Sequence, residues 1–248
     1  MVDTALFVGM TGAKQSMHAL RIISNNLANA NTLGFRADYE TIKTIPTNQN
    51  RMQTRVYSGP DKTYSDFKPG PMIETGGDLD IAINGPGFIA VQTKEGKEAY
   101  TRAGNLQITK DGLVVTGKGD MVIGSNGVIT IPPAARVSIG ERGIISVQPL
   151  GQSPNELTTV GTIKLVDIPN SQLQKGADGL FYLAEGASAL ASNSVKITSG
   201  ALEGSNVDPV RALTELIDIS RHFEMHTKMM RSIEDNSGKS NQLLNITD

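Results

Sequence analysis

The stretch DLDIAINGPGFIAV, residues 78–91, decides the fold class of this chain because it holds two short apolar runs around a turn. The first run, residues 81–83, ends at Asn84-Gly85, and the second run covers residues 88–91. Asn-Gly supplies the positive φ angles that tight hairpin turns need. The stretch therefore predicts two short β-strands joined by a chain reversal.

The same combination of an apolar run and a turn dipeptide recurs along the middle of the chain. The turns are Lys94-Glu95-Gly96, Asp111-Gly112, Gly117-Lys118-Gly119 and Asn126-Gly127, and the further runs are residues 106–108, 113–115, 121–123, 128–131, 144–147 and 162–166. Short strands at intervals of about 8 to 12 residues are typical of antiparallel sandwiches and irregular barrels. We therefore predict a central antiparallel all-β domain at residues 80–185.

The N-terminal residues show helical periodicity instead. Apolar side chains alternate at steps of four and three, with one polar member, at Leu6, Met10, Ala13, Met17, Leu20, Ser24 and Leu27. This stripe predicts a helix from about residue 4 to about residue 29, with Asp3 as its N-cap. Apart from Asp3, its only charges are Lys14 and Arg21, so we expect other helices rather than water around it.

The C-terminal residues predict a second long helix. Asn206-Val207-Asp208-Pro209 supplies an Asx cap followed by proline at the first helical position. The stripe that follows is Ala212, Leu216, Ile219, Phe223, His226, Met230 and Ile233, broadened by Leu213 and Ile217. The helix is predicted from Pro209 to about residue 245.

Two long amphipathic helices at opposite ends of one chain can bury their stripes against each other in a coiled-coil-like pair. The alternative is that both pack on the central domain. A pair alone leaves much of each stripe exposed, so we expect other copies or other subunits to complete it. The predicted assembly interface is Leu6, Met10, Ala13, Met17, Leu20, Leu27, Leu216, Ile219, Phe223, Met230 and Ile233.

The predicted fold class is therefore α+β, with a helical domain made from both chain ends and a central β domain. The N-terminal helix occupies residues 1–35 and the C-terminal helix residues 206–248. Residues 36–79 are predicted as an extended connecting segment, and residues 186–205 as an extended return segment, because both are polar and lack apolar periodicity.

Composition excludes several classes of function. The 23 basic and 25 acidic residues give a formal charge of −2, which offers no field for nucleic acid. The absence of cysteine excludes disulfides, thiol nucleophiles and cysteine-ligated metal. No run approaches the roughly 20 apolar residues of a membrane span. The N-terminus lacks the basic and continuous apolar regions of a cleaved secretory signal. Together, these observations lead us to expect no nucleic-acid partner, no membrane insertion and no cleaved signal.

The motifs that could carry chemistry are incomplete. Gly85-x-Gly87 and Gly117-x-Gly119 do not continue into GxGxxG, so turn geometry explains these glycines. His222 and His226 have zinc-ligand spacing on a helix, but Glu224 is misplaced for HExxH and no third ligand is near in sequence. We therefore predict no catalytic, cofactor-binding or metal-binding residues.

Four segments carry a resemblance to a known family. They are NNLANANTLGFR at residues 25–36, GPGFIAV at 85–91, YTRAGN at 100–105 and SGALEGSNV at 199–207. Their order and content resemble the axial proteins of the bacterial flagellar rod and hook. The residues that match the family's N-terminal signature are Asn25, Asn26, Leu27, Asn29, Asn31, Gly34 and Phe35.

The resemblance implies a structural protein rather than an enzyme, without cofactors. Members of the family are exported unfolded by the flagellar type III apparatus without a cleaved signal. In the basal body, which spans the periplasm, they assemble with copies of themselves and with other rod proteins into a helical tube. The terminal helices line the tube, the β domain forms the outer layer, and the rod transmits motor torque to the hook.

The C-terminal sequences RHFEM at residues 221–225 and DNSGKSNQLL at 235–244 resemble the proximal-rod branch of the family. The distal-rod branch shares the upstream motifs and remains an alternative. A secreted β binding module that its helices oligomerise is a second alternative. A periplasmic lytic or metal-dependent enzyme is a third, weaker one.

Overall fold

Both chain ends form long helices in the structure, a computed structural model that describes residues 2–46, 56–149, 157–183 and 187–244. Helix α1 spans Val2–Ala28 and helix α2 spans Pro209–Leu244. The two terminal helices and the central antiparallel β region of the predicted fold class are confirmed. Because α1 begins at Val2, the predicted N-cap at Asp3 is wrong. The predicted end of α2 near residue 245 lies just outside the described residues.

The start of α2 follows directly from local sequence. The Asp208 carboxylate accepts the backbone N–H groups of Val210 at 3.0 Å and Arg211 at 3.2 Å. These donors belong to the first turn, where no helical carbonyl can satisfy them. Pro209 occupies the first helical position, where its missing N–H costs nothing. The predicted cap is confirmed.

The described residues also contain eighteen strands, numbered in chain order. They are β1 (Asp38–Pro46), β2 (Val56–Ser65), β3 (Met72–Glu74), β4 (Ile81–Asn84), β5 (Phe88–Gln92), β6 (Glu98–Thr101), β7 (Leu106–Ile108), β8 (Val114–Thr116), β9 (Met121–Gly124), β10 (Gly127–Val128), β11 (Ala134–Ile139), β12 (Ile144–Pro149), β13 (Thr158–Thr162), β14 (Leu165–Val166), β15 (Leu173–Lys175), β16 (Phe181–Leu183), β17 (Lys196–Ser199) and β18 (Ala201–Glu203). All the described strand pairs are antiparallel, as predicted.

The chain divides into two compact units. The helical unit comprises residues 1–30, 37–66 and 207–248, and the β unit comprises residues 31–36 and 67–206. Residues 36–79, predicted as one extended connection, therefore contribute to both units. Residues 186–205, predicted as an extended return, contribute β17 and β18 to the β unit. Strand signals were missed here because these strands lack the long Val, Ile and Leu runs of the central region.

Within the helical unit, β1 and β2 form an antiparallel hairpin. The register pairs Asp38 with Ser65, and it shifts between Thr41 and Ile42. The rings of Tyr39 and Tyr64 stack with their centroids 6.0 Å apart. Gln15 and Asn26 of α1 donate hydrogen bonds to the Glu40 carboxylate and the Asp38 carbonyl of β1, which connects the helix to the hairpin.

The β unit is built around a nine-stranded sheet whose main path runs β15-β16-β6-β5-β9-β8-β7. Most of the predicted hairpin turns are confirmed. Asn126, for example, lies in the short turn that joins β9 to β10, and Gly127 begins β10. Asn84-Gly85 is the exception, because β4 pairs with β17 and not with β5. The dipeptide reverses the chain there, but it does not make the predicted hairpin.

The β unit has two hydrophobic clusters on opposite faces of β5. Ile89 and Val91 point into a large cluster that also receives residues from β4, β11, β12 and β17. Phe88 and Ala90 point into a second cluster with Tyr100 and residues of the β14 and β16 region. Successive side chains of a strand face opposite sides. Burial on both faces explains why residues 88–91 form an unbroken apolar run.

The hydroxyl of Tyr100 is a polar group within the second cluster. It donates to Glu98 Oε1 at 3.0 Å and accepts the backbone N–H of Ala189 at 2.8 Å. Burial raises the pKa of Tyr100 to about 12; the hydrogen bond from Ala189 acts against this rise, and Glu98 adds to it. The folded state therefore favours the protonated, neutral form of the Tyr100 hydroxyl.

We expect the β unit to lose stability as the pH rises from 10 to about 12, because the pKa of Tyr100 in the folded state lies above its ordinary value of 10. The contribution is complete below pH 10 and disappears as pH rises through the folded pKa. Urea denaturation across this range should show a smaller decline for Tyr100→Phe than for the wild type. Tyr39→Phe, at a half-exposed ring, is the control, and an unchanged decline in Tyr100→Phe would contradict the prediction.

Candidate functional site: exposed helix faces and a buried junction

The two terminal helices contact each other through small residues of α1. A Cβ atom added at Gly12 would lie 2.5 Å from His226 Cε1, and one added at Gly9 would lie 2.8 Å from Met230 Cγ. Both distances are too short for a side chain, so the glycines permit the close approach. Moving from Gly12 back to Gly9 on α1 corresponds to moving from His226 forward to Met230 on α2. The helices are therefore antiparallel.

The predicted interface residues of α1 divide into two groups. Ala13 is buried, and Leu20 and Leu27 are half-buried. Leu6, Met10 and Met17 are 40%, 52% and 59% exposed, which is high for side chains of this type. Phe7 and Val8, which the stripe did not include, are exposed as well.

Two members of the predicted α2 stripe, His226 and Met230, lie against Gly12 and Gly9 of α1. Leu216, Ile219, Phe223, Met230 and Ile233 are all half-buried. Other apolar side chains of the helix remain exposed, namely Val210, Leu213, Ile217, Met225 and Met229. The periodicity had indicated Leu213 and Ile217 only as a broadening of the stripe, and it missed Met225 and Met229. Their spacing by four residues was the available signal.

The asparagine-rich signature has a local structural role. Asn26 is buried and bonds both backbone groups of Asp38, donating to its oxygen at 2.7 Å and accepting its N–H at 2.9 Å. Asn29 donates to the Asn25 carbonyl at 2.9 Å, where α1 ends. Leu27 is half-buried, and Asn25 and Asn31 are exposed. The signature thus ties the end of α1 to the start of β1.

The last signature residues, Gly34 and Phe35, lie in the β unit against the segment that precedes α2. The Gly34 N–H donates to the Glu203 carbonyl at 2.8 Å, and the Asn206 N–H donates to the Phe35 carbonyl at 3.3 Å. Lys175 Nζ lies 3.8 Å from the centroid of the Phe35 ring. It also donates to the Arg36 carbonyl at 2.7 Å. Two distant chain segments are therefore held side by side.

A buried network of charged side chains adjoins these backbone contacts. The Glu203 carboxylate accepts from Arg36 Nη2 at 2.6 Å through Oε1 and from Arg102 Nη1 at 2.8 Å through Oε2. The side chains of Arg36, Arg102 and Glu203 are 0%, 6% and 1% exposed. All three residues lie within the family motifs, but their sequence did not predict that they meet. We refer to these three residues and their contacts as the junction.

Backbone groups make further hydrogen bonds to Glu203 and Arg102. The Gly70 N–H donates to Glu203 Oε1 at 3.0 Å. Arg102 Nε donates to the Gly87 carbonyl at 3.0 Å, and its Nη2 donates to the Gly85 carbonyl. Charges buried this deeply require such partners, since an isolated buried ion is strongly destabilising.

The two histidines with zinc-ligand spacing, His222 and His226, lie in different surroundings. His226 packs against Gly12, and His222 is exposed. Among the described residues, no group of three or more His, Cys, Asp and Glu side chains could hold a metal ion. No helix in the described part of the chain combines the length and the apolar character that a membrane span requires.

Three family models match the chain in consecutive segments. Residues 6–36 match "Flagella basal body rod protein", residues 82–147 match "Flagellar hook protein FlgE/F/G D1 domain", and residues 198–243 match "Flagellar basal body rod FlgEFG protein C-terminal". These descriptions concern rod and hook proteins, and none of them names a catalytic activity.

Several curated proteins are similar over nearly the whole chain. The flagellar basal-body rod protein FlgF of Salmonella typhimurium is 37% identical over 99% of this chain and 100% of its own length. FlgF of Escherichia coli is 36% identical with the same coverage. The rod protein FlgG of Buchnera aphidicola is 30% identical over 96% of this chain and 99% of its own. With whole-length identity above 30% and three matching models in order, the chain belongs to the FlgF family of flagellar basal-body rod proteins.

Proposed function

We propose that the protein is a structural subunit of the flagellar basal-body rod and that it performs no catalysis. The names of its relatives, which are rod proteins, support this assignment. The observation that carries the proposal is the row of large apolar side chains left exposed on both terminal helices. Large apolar side chains left exposed in such numbers are typical of a site that binds another protein.

The terminal helices are proposed to form a coiled-coil-like pair through which the subunit assembles helically. Antiparallel contact at Gly9 and Gly12 supports the pairing. In this arrangement Ala13, Leu20, Leu27, Leu216, Ile219, Phe223, Met230 and Ile233 hold the pair together. Leu6, Met10 and Met17 remain available for neighbouring subunits. Heterologous contacts generate open helical assemblies when the rotation between subunits does not close a ring.

Family resemblance supports the finer parts of the proposal. The helices at residues 1–35 and 206–248 would form the inner layer of the rod, and the β domain at 80–185 the outer layer. Residues 36–79 and 186–205 would connect the layers. Partners would be other copies, other rod proteins and the flagellar type III export apparatus, which would export the chain without a cleaved signal. The rod would cross the periplasm and carry motor torque to the hook.

A proximal position in the rod is proposed over a distal one. FlgF relatives are 33–37% identical to the chain, whereas FlgG relatives are 29–31% identical. We expect the gene to restore swimming to a bacterium that lacks FlgF and not to one that lacks FlgG. Restoration of the FlgG mutant alone would assign the chain to the distal rod.

Met17→Asp is expected to abolish swimming in that complementation assay, because it places a charge in the exposed apolar face of α1. Met17 is 59% exposed, so the isolated subunit should keep its helical content, measured by circular dichroism. Loss of rods from purified basal bodies is the direct measurement.

Ser24→Asp is the matched control for this experiment. Ser24 lies one heptad further along α1, is exposed, and receives the same change in charge. We expect Ser24→Asp to swim normally. Normal rods in Met17→Asp, or equal losses in both variants, would contradict assembly through the apolar face.

A further inference from the structure

The junction joins the three segments that the family models recognise. Arg36 ends the first matched segment, Arg102 lies in the second, and Glu203 lies in the third. In sequence, Glu203 is separated from Arg102 by 101 positions and from Arg36 by 167. The three segments are therefore connected by side-chain contacts at one buried point of the β unit.

We propose that Glu203, Arg36 and Arg102 are positioning residues that hold residues 31–36 and 203–206 in one fixed arrangement, and that the rod needs this arrangement to carry load. The proposal rests on the proposed rod function. It assigns the three residues a role beyond keeping the β unit folded.

Energetics argue against a purely stabilising role. A buried ion pair often contributes no more to stability than apolar side chains of similar volume. The two hydrophobic clusters of the β unit consist of Ile, Val, Leu, Ala and aromatic side chains, so apolar filling is available to this fold. A charged network additionally fixes which groups meet, since the two Glu203 oxygens accept hydrogen bonds from arginines of two different segments.

The junction holds both the main chain and the side chains of the same residues. The Glu203 carbonyl accepts the Gly34 N–H, while its carboxylate binds Arg36 and Arg102. Lys175, on strand β15, contacts the Phe35 ring and donates to the Arg36 carbonyl, so it holds residues 35 and 36 in place. Sliding of either segment would break several of these bonds together.

The position of the junction along the chain relates its rigidity to the transfer of load between the two units. The chain passes between the two units after residues 30, 36, 66 and 206. Two of these covalent connections directly follow segments that the junction holds, at Arg36 and at Asn206. Load that passes along these connections reaches the β unit at the junction.

The test uses the full-length chain in a flagellated bacterium that lacks FlgF. Glu203→Gln keeps the size and an acceptor oxygen but removes the charge opposite two buried guanidinium groups. We expect the melting temperature of the purified chain's β unit to fall by about 10 °C. Glu95→Gln, at a carboxylate whose side chain is 73% exposed, is the control and should melt like the wild type.

Swimming speed is then compared in thin buffer and in polymer-thickened buffer, at a temperature well below the melting point of the variant. We expect Glu203→Gln cells to lose a larger fraction of their speed than wild-type cells when the medium is thickened. Arg36→Lys keeps the charge but removes Nη2, the donor that binds Glu203 Oε1, so it should show the same load dependence with a smaller change in melting temperature.

Equal fractional losses of speed in the variants and the wild type would overturn the positioning role, because stability alone is not sensitive to load once the subunit is folded. The same conclusion applies if Arg36→Lys cells resemble the wild type in both media. Failure of the wild-type chain itself to restore rods would instead refute the proposed function.

Discussion

Gly34→Ala is expected to lower the free energy of unfolding of the β unit by about 3 kcal/mol, from backbone strain and overpacking together. Gly34 has a φ of +66°, which a residue with a Cβ adopts only at a cost. An added Cβ would also lie 2.4 Å from the backbone nitrogen of Ala103 and from the carbonyl carbon of Arg102. Backbone atoms cannot rotate away as the end of a side chain can, so the junction segment would have to move.

Gly76→Ala separates the two contributions to this loss. Gly76 has nearly the same φ, +67°, but no atom lies within 4 Å of an added Cβ. We expect Gly76→Ala to cost only the strain, about 1 kcal/mol. Urea denaturation followed by circular dichroism measures both variants. Equal losses at the two glycines would show that the close approach of Gly34 to Ala103 does not contribute.

Ile145→Ala is expected to destabilise the β unit by about 3 kcal/mol, because it leaves a cavity in the larger cluster. Ile145 lies on β12 and is fully buried. Its strand belongs to the separate three-stranded sheet β11-β12-β13, yet the cluster also contains Ile81, Ile89 and Ile197 from other sheets. The loss should therefore appear in the unfolding of the whole β unit.

The neighbouring residue provides the control for this prediction. Ile144 has the same side chain on the same strand but points the other way and is 39% exposed. We expect Ile144→Ala to cost about 1 kcal/mol or less. A separate early transition in Ile145→Ala, with the main transition unchanged, would show that the three-stranded sheet has its own core.

Sequence patterns of a few residues predicted the elements that neighbouring residues in the sequence stabilise. Asp208-Pro209 marks the start of α2 because cap and proline act within one turn. Residues 88–91 predict a strand because β5 is buried on both faces. By contrast, β1 and β2 have few apolar residues to signal them, and their contact with Asn26 of α1 depends on folding.

Which strands pair and which helix positions are covered depends on distant parts of the chain, so the sequence did not predict these contacts. Asn84-Gly85 has the dipeptide of a hairpin, yet β4 pairs with β17 more than a hundred residues later. The helical stripes identified apolar positions on α1, but the crossing at Gly9 and Gly12 decides which of them are covered. Leu6, Met10 and Met17 consequently remain exposed.

By itself the sequence determined two terminal helices, an antiparallel β region between them and membership of the rod and hook proteins. Those features depend on periodicity, caps, turns and motifs, which act over a few residues. Only the tertiary structure decided that Arg36, Arg102 and Glu203 are buried together. Charged residues are normally exposed, and burial becomes favourable only when folding brings opposite charges from distant segments into contact.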